Sequence, residues 1–133
     1  MPIIPAAERI PYLQPFLEQC HLRQYPSRAA IVHAGDASDS LFFIVKGSVS
    51  VVIEDSEGRE MVVAYLNAGD FFGEMGLFEE KPVRSAWIRA KTACEIAEIS
   101  YRKFKEIARQ DAGLMFALSA QLAGRLRATT RKV

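Results

Sequence analysis

The sequence is poor in the side chains that carry most enzyme chemistry. Its 133 residues include two histidines and two cysteines. His21 and His33 have no H-x-H, no H-E-x-x-H and no third ligand beside them, which argues against a metal-bearing barrel. A small cupin-like enzyme on a related barrel would need clustered histidines. Cys20 and Cys94 lie far apart and form no C-x-x-C. They read as buried small hydrophobes rather than a disulfide, and an iron–sulfur cluster wants about four thiolates. No apolar run approaches the ~18 residues of a membrane span. The N-terminus, MPIIPAAERIP, is too broken by proline and charge for a signal peptide. The expectation is a cytoplasmic protein without membrane contact. No G-x-S-x-G, P-loop or supported Cys–His–Asp pattern appears, and the adjacent acids Glu54-Asp55 and Glu79-Glu80 fit solvated surface. The chain is therefore not expected to be an enzyme, to carry a catalytic residue or to bind a metal.

A net charge of one sign is also missing, since the formal total is +1. That figure hides an asymmetry. Residues 1–101 carry nine Lys/Arg against fourteen Asp/Glu, and residues 102–133 carry eight against two. The body is acidic and the tail basic, a pattern that hints at different partners for the two parts. The tail charges also suit the C-terminal end of a helix dipole.

What is present is enough for a core. Half the residues are hydrophobic and 25% are charged, which fits one globular domain burying roughly two-thirds of its unfolded surface. Gly35, Gly47, Gly58 and Gly69 recur at spacings of 12, 11 and 11 residues. The runs between them, 30–33, 41–45, 49–53 and 61–66, are apolar, β-branched or aromatic. Residues 83–91 and 94–99 add two more. Turn signals at this spacing predict an antiparallel sandwich or barrel, with Glu57-Gly58 as a hairpin tip. Helices are expected at 6–20, limited by Pro11 and Pro15; at 101–110, capped by Ser100; and from Asp111 to the end. On the last, Met115, Leu118, Leu122, Leu126 and Thr129 recur at threes and fours. A helix of about 20 residues, ~30 Å long, outruns a small sandwich. Its stripe could be that of an ordinary core helix, but the favoured expectation is that it pairs with a second copy, coiled-coil fashion, in a homodimer.

The segment from Phe71 to Trp87, FFGEMGLFEEKPVRSAW, breaks the strand pattern. Gly73 and Gly76 permit a tight turn and close backbone approach. Residues 74–78 would start a helical turn, whose free N–H groups favour an anion. Arg84 is expensive to bury unless paired, and a phosphate would pair it through charge-assisted hydrogen bonds. Ser85 adds a hydroxyl, and Glu74 can accept from a sugar hydroxyl. Together they suit a phosphate with a ribose attached.

Phe72-Gly73-Glu74-Met75-Gly76-Leu77 and Arg84-Ser85-Ala86 resemble the phosphate-binding cassette of cyclic nucleotide-binding domains. The likeness extends over essentially the whole chain, and is greatest to the cyclic AMP receptor proteins of the Crp/Fnr family. The resemblance implies a mainly β fold with flanking helices (α+β): a jelly-roll (double-stranded β-helix) β-roll over residues 1–111, then a dimerisation helix over 112–133. In that family a winged helix-turn-helix DNA-binding domain follows, which is expected to be absent from this chain. The implied ligand is cyclic AMP, with Gly73 and Met75 offering backbone and Glu74 taking the ribose hydroxyl. Arg84 and Ser85 would hold the phosphate. Thr129 would meet the adenine of its own subunit, and Thr130 that of the partner. Arg125 would lie near the pocket, with Val51 and Leu66 as apolar wall. The family usually has serine at the position of Thr130. Its best-known members have arginine at that of Gly124, where glycine costs ~1 kcal/mol of helix stability. His21, Arg23, Glu98 and Lys103 match a surface that touches RNA polymerase in the family. Cyclic GMP, cyclic di-GMP or no ligand are the alternatives. Oxygen- or carbon monoxide-sensing members need a cysteine cluster or haem ligands not visible here.

Overall fold

The fold comes from a computed structural model that describes residues 13–79 and 83–131, with side chains to residue 128. It begins with a short helix, α1 (Leu13–Glu18), followed by β1 (His21–Tyr25), β2 (Ala30–Val32), β3 (Ser40–Lys46), β4 (Ser48–Glu54), β5 (Glu60–Asn67) and β6 (Phe71–Phe72). A single 3-10 turn, Met75–Phe78, precedes β7 (Trp87–Ala90) and β8 (Cys94–Ser100). Helices α2 (Tyr101–Gln110) and α3 (Ala112–Arg131) complete it. The strands form two four-stranded antiparallel sheets, β1-β8-β3-β6 and β2-β7-β4-β5, packed as a jelly roll.

Around β3 the first sheet is covered on both faces, which explains why β3 reads as an unbroken apolar run, LFFIV. Side chains alternate across a strand. Leu41, Phe43, Phe71, Ala97 and Ile99 therefore point to the helices. Phe42, Ile44, Phe72 and Ile96 point to the second sheet. Phe16 of α1 meets Phe43, Phe71 and Phe104 edge-on at 6.4, 5.8 and 6.3 Å between centroids. Leu114 and Leu118 of α3 are fully buried in the same cluster. Each such side chain contributes roughly 1.5–3 kcal/mol.

The second sheet has one wet face. The β4–β5 hairpin turns at Gly58, whose φ is +80°. Asp55 holds the tip by accepting from the N–H groups of Glu57 and Arg59 at 2.8 and 2.9 Å. These bonds keep the Asp55 carboxyl below its ordinary range, with the backbone of Arg59 the largest cause. Val51 pairs with Ala64 and Val52 with Val62, so Val63 is an extra, bulged residue that bends the hairpin.

The expected strands are present, with one revision. Residues 83–91 are not one strand. Val83 makes an isolated bridge to Ala37, and the ladder begins only at Trp87. Arg84 exchanges backbone bonds with Gly35 and Asp36 instead, at 2.9 and 2.8 Å. Strands β1 and β6 carry no signal in the glycine spacing or the apolar runs. The Ser100 cap is formed, its hydroxyl accepting from the N–H of Lys103. Asp111 accepts from the N–H of Gly113 at the start of α3. Of the helix expected over 6–20, residues 13–18 are helical, and the part before Leu13 lies outside the described residues.

Candidate functional site

A cavity of about 260 Å³ opens between the second sheet and the segment after β6. Val51, Ala64 and Leu66 of the β4–β5 hairpin supply an apolar wall, with Val32 and Ile88 beside them. Gly73, Glu74, Met75, Arg84, Ser85 and Arg125, all singled out from the sequence, line the same space.

Gly73 is held at a φ of +81°, where side chains are rarely tolerated. A Cβ there would stand 2.7 Å from Nη1 of Arg84 and 3.1 Å from the Ser40 carbonyl oxygen. The close approach places Arg84 against the turn. Its Nη1 donates to the Gly73 carbonyl at 3.2 Å and its Nη2 to the Ser40 carbonyl at 2.8 Å. The guanidinium also lies 5.3 Å from the Phe42 ring centroid. It is half-buried, and among the described residues no carboxylate pairs with it. A cation held only by neutral acceptors on a cavity wall has donors to spare for an anion. By contrast, Arg89 on the outer face of β7 is committed to both oxygens of Glu60, at 2.7 and 2.6 Å.

Glu74 precedes the 3-10 turn and is largely buried, with its Oε1 3.6 Å from Nη1 of Arg125 on α3. Arg125 also donates to the Phe71 carbonyl. One turn earlier, the Gln121 carboxamide accepts from the Phe71 N–H at 2.8 Å and donates to the Gly69 carbonyl at 2.6 Å. The long helix is thus fastened to the strand that leads into the site. Ser85 and Met75 are exposed at the rim.

Gln121, Ser38 and Tyr101 escaped the sequence reading. Ser38, buried and on the cavity wall, bonds to the Tyr101 phenol at 2.6 Å, and that phenol donates to the Gly73 carbonyl. The available signals were a tyrosine directly after a helix cap and a serine in a polar loop, neither of which is distinctive alone.

Helix α3 presents different residues to different surroundings. Leu118 is fully buried in the core of its own chain, and Met115 and Leu122 pack against that core. Leu126, at 69% exposed, faces outward, as does Phe116, which the expected stripe omitted, at 76%. A fully buried Leu118 has no surface left for a partner helix. Thr129 and Thr130 fall in the last turn of α3, with side chains outside the described residues. His21 lies opposite Glu98 across the β1–β8 ladder, and Arg23 pairs with Glu98 at 3.3 Å. Lys103 is exposed at the start of α2. Both cysteines are free, and burial pushes the Cys20 thiol up to about 12 and raises that of Cys94. Among the described residues no three His, Cys, Asp or Glu gather as a metal site. No described helix is long and apolar enough to cross a membrane.

Comparison with known proteins places residues 22–111 in the cyclic nucleotide-binding domain model. The chain is 53% identical over 128 residues to the cAMP-activated global transcriptional regulator Vfr of Pseudomonas aeruginosa, covering 94% of this chain and 60% of Vfr. It is 54% identical over 123 residues to the cAMP-activated global transcriptional regulator CRP of Escherichia coli, covering 92% and 59%. The chain thus spans about 60% of the length of these relatives. Among solved structures, it is similar to the c-di-GMP responsive global regulator CLP of Xanthomonas campestris. The TM-score is 0.84 and the identity 38%, with 92% of this chain and 61% of that chain covered. The catabolite activator protein of Thermus thermophilus gives 0.80 and 27%, covering 97% and 61%. These relatives bear the names of regulators, not of enzymes.

Proposed function

The chain belongs to the cyclic nucleotide-binding domain family, and from that premise we propose that it is the cyclic AMP sensor and dimerisation region of a cytoplasmic Crp-type transcriptional regulator. The observation that carries the reading is Arg84, a half-buried cation on the cavity wall with no carboxylate partner among the described residues. A cyclic phosphate would take its free donors together with the Ser85 hydroxyl. Gly73 and Met75 would offer backbone, and Glu74 would accept from the ribose 2′-hydroxyl. The base would lie against Val51 and Leu66. Thr129, and Thr130 of a second copy, would meet the adenine.

The roll over 1–111 would bind, and the helix over 112–133 would pair. The Glu74–Arg125 and Gln121 contacts support a route between them, because a ribose bound to Glu74 competes for the carboxylate that α3 holds. In a whole regulator this would bias the helix and so a DNA-binding domain. RNA polymerase contact through His21, Arg23, Glu98 and Lys103 belongs to the same proposal.

A cyclic di-GMP reading draws on the likeness to CLP. The intact Arg84-Ser85 pair favours the mononucleotide. Calorimetry with cyclic AMP, cyclic GMP and cyclic di-GMP tests both readings. Micromolar binding of cyclic AMP, largely lost in Arg84→Leu, is expected. Undiminished binding in that variant would remove Arg84 from the site.

A further inference from the structure

We propose that Tyr101 is a positioning residue for the anion, acting through the Gly73 carbonyl and aligned by Ser38. The proposal rests on the reading of Arg84 as the phosphate ligand. It starts from proton counting. A phenol has one proton, and that of Tyr101 goes to the Gly73 carbonyl. In the 2.6 Å contact between the two hydroxyls, Ser38 must therefore be the donor. The chain runs in one direction, Ser38 to Tyr101 to Gly73. Both hydroxyl residues are buried, with Ser38 5% and Tyr101 9% exposed. Tyr101 is itself fixed from a third side, because its N–H donates to the Asp39 carbonyl at 2.9 Å.

The Gly73 carbonyl has two donors, Tyr101 and Nη1 of Arg84. This double attachment sets what happens when an anion enters. Arg84 can turn Nη1 toward the anion and let go of Gly73 without stranding its part-buried carbonyl, because the phenol still satisfies it. Without the phenol, the same turn leaves that oxygen unpaired once the ligand has displaced water from the cavity, and an acceptor left unpaired away from water is costly. The carbonyl would then compete with the anion for the guanidinium. The Gly73–Glu74 peptide is trans, so pinning its oxygen on Tyr101 also fixes its N–H in the opposite direction. The phenol thereby holds the turn in its binding shape before the ligand arrives.

This predicts a split between affinity and stability. In the ligand-free protein Arg84 still serves Gly73 when the phenol is removed, and in a Ser38→Ala background no buried hydroxyl loses its partner, so adding Tyr101→Phe to Ser38→Ala should move the unfolding midpoint little. Affinity for cyclic AMP should fall roughly tenfold. Ser38→Ala, which removes the alignment but not the phenol, should lose less. Calorimetry with cyclic AMP and with inorganic phosphate, alongside thermal unfolding of the free proteins, reads both quantities. A tenfold loss at an unchanged midpoint supports the assignment. Unchanged affinity overturns it, and so does a loss of affinity accompanied by a proportionate loss of free-protein stability, which would mark Tyr101 as merely structural. If the wild type binds phosphate but no cyclic nucleotide, the sensor reading fails. The phosphate titration of Tyr101→Phe still decides the role of the phenol. A wild type that binds neither probe overturns both.

Discussion

The two sheets of the roll divide the work. The sheet β1-β8-β3-β6 is, apart from its edge strand β1, covered on both faces, with helices on one side and the second sheet on the other. The sheet β2-β7-β4-β5 is buried on one face only, and that face bounds the cavity. The contrast is visible in two strands: Ser40 to Ile44 of β3 are all buried, whereas β5 is exposed except at Leu66, which is partly buried. One sheet therefore supplies a platform, and the other supplies a wall that can be shaped for a ligand at little cost to the core. Mutations should separate stability from affinity along this line.

The largest effect belongs to the platform. Leu118→Ala should destabilise the fold by about 2–5 kcal/mol, measured by urea unfolding, with cyclic AMP affinity changed far less. An equal loss of affinity would merge the two regions. On the wall side, Arg84→Leu should weaken cyclic AMP binding about a hundredfold, the loss of a charged hydrogen-bonding partner worth ~1.5–3 kcal/mol. Its unfolding midpoint should fall less than that of Leu118→Ala, since the lost contacts are two carbonyl hydrogen bonds and one ring face. Gly73→Ala sits on the seam. The positive φ should cost about 1–2 kcal/mol of stability, and the Cβ, 2.7 Å from Arg84 Nη1, should displace the guanidinium and lower affinity as well. A change in only one quantity would assign that residue to one side.

The smallest effect lies on the wet outer face. Hydrogen bonds from Arg89 are the main reason the Glu60 carboxyl titrates below its ordinary value. A lowered folded-state pKa stabilises above the unfolded glutamate pKa, and the contribution is lost as pH falls through the lowered value. Both side chains are open to water, so the gain is slight. Carboxyl-carbon NMR titration should show Glu60 returning to its ordinary value in Arg89→Leu, while the cavity is unaffected. Identical titration curves would remove the pair as the cause.

The same division explains what could be read in advance. Six of the eight strands follow from glycine spacing and apolar runs. β1 does not, because HLRQY is an exposed edge strand whose one aliphatic side chain, Leu22, faces water at 56% exposure. β6 does not, because it is two residues long and defined by pairing with Phe42 and Phe43. The cassette residues are close in sequence and carry a recognisable pattern. Ser38, Tyr101 and Gln121 reach the site across 28 to 63 residues of sequence, a distance that no local motif spans. Helical periodicity finds apolar residues on α3, but it cannot say which face meets its own chain. Leu118 and Leu126 look alike in the sequence, yet only Leu118 is consumed by the core.

The grip of Gln121 on β6 has a consequence beyond the ligand. β6 is the last strand of its sheet, and such an edge ordinarily offers unpaired amides to any passing strand. Here a side-chain amide takes the place of that missing neighbour, engaging the Gly69 carbonyl and the Phe71 N–H as a strand would. The helix that leaves the roll thus also guards this border against misassembly, and a Gln121→Ala chain should be more prone to edge-to-edge aggregation than the wild type.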